Sequence, residues 1–211
     1  MNRRNFIKSI AASAVGAGLL RGNLASAQDA NTLTVVQLVN FMCSNSRQVN
    51  VQHERMAAAA KFAEVGFRFA PVTWDDQSPW PARIYYTIRN LYPEAEPIIR
   101  NAMFDGMQTR GMAFETMSQV MAYLVNSQLD VEATKLSPQF NLATIASAST
   151  SEEIEVSMLR AARLLILSEA QFVPAFIWLK EGEIVKTIAG ESAQNPPALV
   201  SLFVKTVTQP I

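Results

Sequence analysis

The sequence predicts an α/β fold with a block of helices inserted into it, on three observations. The N-terminal part of the mature chain alternates strand, helix and strand. The middle runs on a helical period, and the last forty residues return to strands before a final helix. Two domains, or one compact unit with an insertion, fit a chain of 211 residues.

The first strand is read from Leu33 to Phe41, an apolar run rich in β-branched and aromatic residues with the character of a strand buried on both faces. Cys43 follows it directly. Ser44, Asn45 and Ser46 are good helix-capping types, and Arg47 to Glu64, with four alanines at 57–60, predicts one long helix. Gly66 to Trp74 returns as an extended segment, so the unit is βαβ and its two strands should pair in parallel.

From Pro79 to Gln171 the period becomes helical. Ile84, Ile88 and Leu91 repeat along one face and stop at Pro93; Met117, Met121 and Leu124 do the same later. Thr150 and Glu153 fit a capping box that opens a helix with Ile154, Met158, Ala161 and Leu165 on one face. These helices are expected to pack as a lid on the sheet. The segments Ala175–Leu179 and Ile184–Ile188 flank a Gly-containing turn and read as a hairpin. Asn195 as cap and Pro196 at the first helical position then start a helix with Leu199, Leu202 and Phe203 apolar.

Composition excludes several classes of function. One histidine and one cysteine cannot build a Cys/His zinc site, and a single cysteine cannot form an internal disulfide. The N-terminus reads as an export signal: Arg3-Arg4 ahead of Phe6-Ile7, an Ala/Gly-rich apolar stretch from Ile10 to Leu20, and Ala25-Ser26-Ala27 as a small-x-small cleavage pattern. The apolar stretch falls far short of the roughly 20 residues of a membrane anchor. Cleavage after Ala27 leaves 14 basic against 18 acidic side chains, a net charge of −4 from a chain that starts neutral. That sign supports neither nucleic acid nor an anionic membrane as partner. Residues 1–27 are thus assigned to a twin-arginine-type signal, 28–75 with 172–211 to the α/β domain, and 76–171 to the helical insertion. The implied compartment is the periplasm.

Cys43 is the candidate reactive residue. A thiol at the first turn of a helix faces unpaired backbone N–H groups and the positive end of the helix dipole, and both favour the nucleophilic thiolate. A strand end also suits a buried, inert thiol, and that alternative stays open. His53, ten residues on along the same predicted helix, points away from the thiol and is given a surface or packing role. Met103, Met107, Met112, Met117 and Met121 have the helical spacing of core filling, although soft sulfurs also suit a peptide groove or Cu(I). Trp74-Asp75-Asp76 and Trp80 fall in a loop after the second strand.

The element order, together with Phe41-Met42-Cys43-Ser44-Asn45-Ser46, Phe104-Asp105-Gly106 and Val173-Pro174-Ala175-Phe176, resembles the thioredoxin-like fold in its DsbA branch of periplasmic thiol-disulfide oxidoreductases. The resemblance spans residues 33–206. It implies that Cys43 is catalytic with Ser46 completing its motif, that Val173 and a cis Pro174 hold an extended client with Ser44 and Asn45 beside it, and that no cofactor or metal is needed; a trans Pro174 that merely starts an edge strand stays open. Two positions depart from the family pattern. Ser46 stands where the second cysteine of Cys-x-x-Cys belongs, and Gln37 stands where a buried acid belongs, six residues before Cys43. A hydroxyl cannot resolve a mixed disulfide, so an outside thiol such as glutathione is needed. Exchange or isomerisation through a monothiol is therefore the leading expectation, with periplasmic client proteins as partners. A redox-inactive, peptide-binding chaperone or assembly factor is the alternative. A permanent intermolecular disulfide through Cys43 is a third.

Overall fold

The computed structural model describes residues 33–190 and 195–209. The signal assignment for residues 1–27 lies outside them. The sheet has four strands in the order β2-β1-β3-β4: β1 is Thr34–Val39, β2 Gly66–Pro71, β3 Ala175–Lys180 and β4 Glu183–Ile188. β1 pairs with β2 in parallel, Thr34 opposite Gly66, and with β3 antiparallel, Leu38 opposite Ala175. The central strands β1 and β3 are buried along almost their whole length, which is why their sequences are continuously apolar. β3 and β4 are joined by Glu181-Gly182, both at positive φ (55° and 85°), the geometry of a two-residue type I′ hairpin whose twist matches the flanking strands.

The helix expected over 47–64 is two. α1 spans Ser44–Asn50 and α2 His53–Phe62, with an irregular turn at Val51-Gln52 between them. Tertiary contacts account for the break. Asn50 is buried, and its side chain accepts from Arg100 Nη1 at 2.6 Å and donates to Asn101 at 2.7 Å, both on a helix of the insertion.

The insertion contains α3 (Trp80–Leu91), a short 3₁₀ turn at Pro93–Ala95, α4 (Glu96–Phe104), a π-helical turn at Asp105–Thr109, α5 (Met117–Asn126), α6 (Leu129–Leu136), α7 (Leu142–Ala148) and α8 (Glu152–Leu167). Trp80 thus opens a helix instead of lying in a loop. The capping box expected at Thr150 is absent: Ser151 is the cap residue of α8 and makes no side-chain cap bond, while Thr150 donates back to the Ser147 carbonyl as α7 ends. The reciprocal box occurs at Thr116 and Gln119, at the start of α5. α9 spans Pro196–Val207 with Asn195 as its cap, as the sequence indicates, and it buries Leu199, Val200 and Phe203 while Leu202 faces solvent.

Two apolar layers enclose the sheet. On one side Val36, Leu38 and Ile177 pack against α3, α4, α5 and α8 in a single core that runs from sheet to insertion; Met103 is buried within it, and Met107, Met112, Met117 and Met121 lie along it. On the other side Val35, Phe176 and Trp178 pack against Val49, Met56 and Phe203 of α1, α2 and α9.

Candidate functional site

β1 ends at Val39, and the chain turns through Asn40, Phe41 and Met42 to place Cys43 as the cap residue of α1. The cap is therefore the cysteine itself and not one of the three polar residues after it. Its backbone is extended (φ −84°, ψ 118°); its N–H donates to the Asn40 carbonyl at 3.0 Å, and its own carbonyl accepts from Arg47 N–H at 3.1 Å. The side chain is partly buried and unpaired with any other cysteine. Its sulfur lies 3.3 Å from the Val173 carbonyl oxygen, to which the thiol donates across 130 residues of sequence.

Val173 and Pro174 are buried and joined by a cis peptide, and β3 begins at the next residue. Cys43, Val173 and Pro174 therefore converge on one spot. Ser44 is exposed and Asn45 half-buried on the first turn of α1, beside the sulfur. Ser46, three residues after Cys43, is fully buried and its hydroxyl accepts from Asn40 N–H at 3.3 Å. It secures the turn behind the cysteine. Met42, 57% exposed, presents the largest apolar surface next to Cys43.

Sequence reasoning missed the residues that hold this turn. Asn40 is buried; its amide donates to the Val72 carbonyl (2.9 Å) and to Gln77 (2.6 Å), and its oxygen accepts from Met42 N–H at 2.8 Å. The one signal available was an amide placed near the end of an apolar run. Gln108 donates from Nε2 to the carbonyls of Phe41 (2.6 Å) and Cys43 (3.1 Å), and Arg47 donates to Thr109 at 2.6 Å. Both contacts come from the π-helical turn, so the insertion braces the cysteine loop directly.

Phe104-Asp105-Gly106 makes that turn possible. Phe104 stacks edge-on against Phe41 (5.0 Å between centroids). Asp105 accepts from Arg110 Nε at 2.9 Å and from the Tyr123 hydroxyl at 3.1 Å. Burial opposes charge on this carboxyl, but donors from Arg110, Thr109 and Tyr123 outweigh it and hold the carboxyl below its ordinary value. The same burial and the neighbouring carboxylate push Tyr123 up to about 12. Gly106 is required for space, since a Cβ there would stand 2.5 Å from the Phe114 ring.

Two polar residues outside this site have no hydrogen-bond partner among the described residues. Gln37 is completely buried, and neither atom of its amide is satisfied. His53 lies on α2, its ring 5.1 Å from Phe67 and 5.9 Å from Phe69, with Nδ1 buried and unpaired. Burial, reinforced by the Arg100 charge, lowers its pKa to about 3, so it is neutral and takes the packing role expected of it. Among the described residues no group of His, Cys, Asp or Glu is arranged to hold a metal ion, and no helix is long and apolar enough to cross a membrane.

No family model and no curated protein matches this sequence. Solved structures do. The chain is similar to the oxidoreductase NmDsbA1 from N. meningitidis, at 14% identity over 85% of this chain and 86% of that one, TM-score 0.59. It is similar to a DsbA variant of Pseudomonas aeruginosa, at 17% identity over 86% and 88%, TM-score 0.61. A putative protein disulfide isomerase from Nitrosomonas europaea aligns at 11% identity over 83% of this chain and 97% of its own, TM-score 0.60. The fold is that of DsbA. Such likeness covers the sheet and the helical insertion together, so the insertion is part of the shared architecture.

Proposed function

We propose that this chain is an exported monothiol exchange protein acting on periplasmic clients through Cys43. The observation that carries the reading is the sulfur of a partly accessible cysteine at a helix start, 3.3 Å from the Val173 carbonyl. The Cys43 thiolate attacks one sulfur of a client disulfide, and the client's other sulfur leaves as a thiolate. Val173 and Pro174 line the place where the client strand lies, with Ser44, Asn45 and the exposed Met42 flanking it. Ser46 has no thiol to attack the mixed disulfide, so an external thiol such as glutathione releases Cys43, or a second client thiolate does so and isomerises the client. The signal read in residues 1–27 delivers the protein, and the three segments assigned from sequence act as leader, exchange domain and helical cover.

The test is reaction with glutathione disulfide at neutral pH followed by intact-mass measurement. One glutathionyl adduct is expected, lost in Cys43→Ser, together with alkylation faster than that of free cysteine. Absence of the adduct and slow alkylation refute exchange. A second reading, a peptide-binding chaperone or assembly factor, draws support from Gln37 and Ser46, which replace an acid and a thiol with groups that carry neither charge nor redox chemistry. It predicts that Cys43→Ala retains client binding and suppression of aggregation.

A further inference from the structure

On the face of the sheet covered by the insertion, a recess of about 40 Å³ opens between β2, α3 and α8. It shares no residue with the Cys43 site. Three arginines line it, Arg68 from β2, Arg89 from α3 and Arg160 from α8, with the Tyr86 ring and Ser157 beside them and no acidic side chain. Each is half-buried, so the recess is sunk but reachable from solvent.

None of the three forms an ion pair among the described residues, whereas Arg83, Arg100 and Arg110 each meet a carboxylate. Arg89 lies over the Tyr86 ring at 4.7 Å and otherwise meets only the neutral Asn90. Arg160 Nε is shut off from solvent with no acceptor. Burial, and after it the charge of Arg89, draws the Arg68 pKa below its ordinary value, which shows how poorly the surroundings compensate that cation. Guanidinium groups are almost never sunk in protein without a partner, and an orphaned buried donor costs free energy. The acidic side chains outnumber the basic ones from residue 28 onward, so the cluster is a local arrangement and not an overall charge bias.

We propose that Arg68, Arg89 and Arg160 form a binding site for one tetrahedral oxyanion, a phosphate or sulfate group. Planar guanidinium forks match the oxygens of such groups, and the three arginines line one space of the right size. A volume of roughly 10–15 Å³ holds one water, so the recess admits a group of a few oxygens and not a nucleotide. The bound anion offsets most of the repulsion among three like charges and ties β2 to α3 and α8.

Calorimetric titration of the folded chain with inorganic phosphate, at ionic strength held constant with chloride, is the decisive measurement. Saturable one-to-one binding is expected, weakened at least tenfold in Arg160→Met and in Arg68→Met. Thermal melting supplies a second readout: phosphate raises the midpoint of the parent by several degrees, while the two variants melt no lower than the phosphate-free parent and do not respond to phosphate. Glycerol phosphate identifies the source. Binding as tight as that of the free ion assigns a phosphomonoester, and tenfold weaker binding assigns the inorganic ion. No saturable binding at 10 mM phosphate, on the order of weak anion affinities, overturns the proposal. So do variants that bind as the parent does, or that melt lower without phosphate, since that would make the arginines structural.

Discussion

Acid should destabilise this protein in part through its only histidine. His53 is neutral in the fold, with its pKa held near 3 by burial and by Arg100, while an unfolded chain restores about 6.5. For a histidine with a depressed native pKa, the unfolded state binds the extra proton. Stability is then complete above about pH 6.5, falls as the pH drops below it, and levels off near pH 3. At pH 4.5 the medium lies about two units below the unfolded value, and at about 1.4 kcal/mol per unit the loss is about 2–3 kcal/mol. Carboxylates such as Asp105 also lose their native interactions on acidification, so the histidine contribution must be isolated by comparison. Urea unfolding of the parent and of His53→Leu at pH 7 and 4.5 does this. The parent should lose about 2–3 kcal/mol more than the variant between the two pH values. Proton NMR of the single imidazole gives an independent midpoint. A midpoint above about 5.5, well toward the free value, or equal acid losses in the two proteins, would refute the reasoning.

Gln37→Met should stabilise the fold, because it replaces a fully buried, unsatisfied amide with an apolar chain of similar volume. The expected gain is about 1–3 kcal/mol in urea unfolding, and a loss of that size would mean the amide has a partner in solution. Gly106→Ala should destabilise by about 1–3 kcal/mol or more, since its Cβ would overlap the buried Phe114 ring. Because Gln108 follows two residues later and holds the Phe41 and Cys43 carbonyls, the Cys43 alkylation rate should change as well. An unchanged rate in a folded variant would separate the π-helical turn from the thiol.

The sheet was legible because its strands are chemically extreme. β1 and β3 are buried on both faces and therefore read as unbroken apolar runs, and the β3–β4 turn needs the positive φ that Gly182 supplies. The convergence of Cys43 with Val173 and Pro174 was implied by the resemblance to the DsbA branch, carried by element order and the short motifs at both places. The break between α1 and α2 was not legible, since four alanines argue for continuous helix and the interruption comes from Arg100, fifty residues beyond Asn50. Asn40, Ser46 and Gln108 act through backbone atoms of the cysteine turn; an amide at the end of an apolar run marks Asn40 only faintly, the motif marks the position of Ser46 without its bond to Asn40, and nothing near Gln108 marks it. The three recess arginines lie on separate elements and become a cluster only when β2, α3 and α8 are packed.

The link between Cys43 and the Val173 carbonyl also bears on when the thiol acquires its chemistry. Its two ends lie 130 residues apart and are brought together by the docking of β3 on β1. Contacts of such sequence separation form late, because the entropy of closing the intervening chain must be overcome first. During synthesis and folding Cys43 is an ordinary thiol on a mobile chain, without a carbonyl neighbour or a client groove beside it. Its environment at the site is thus a report that the two ends of the α/β domain have come together.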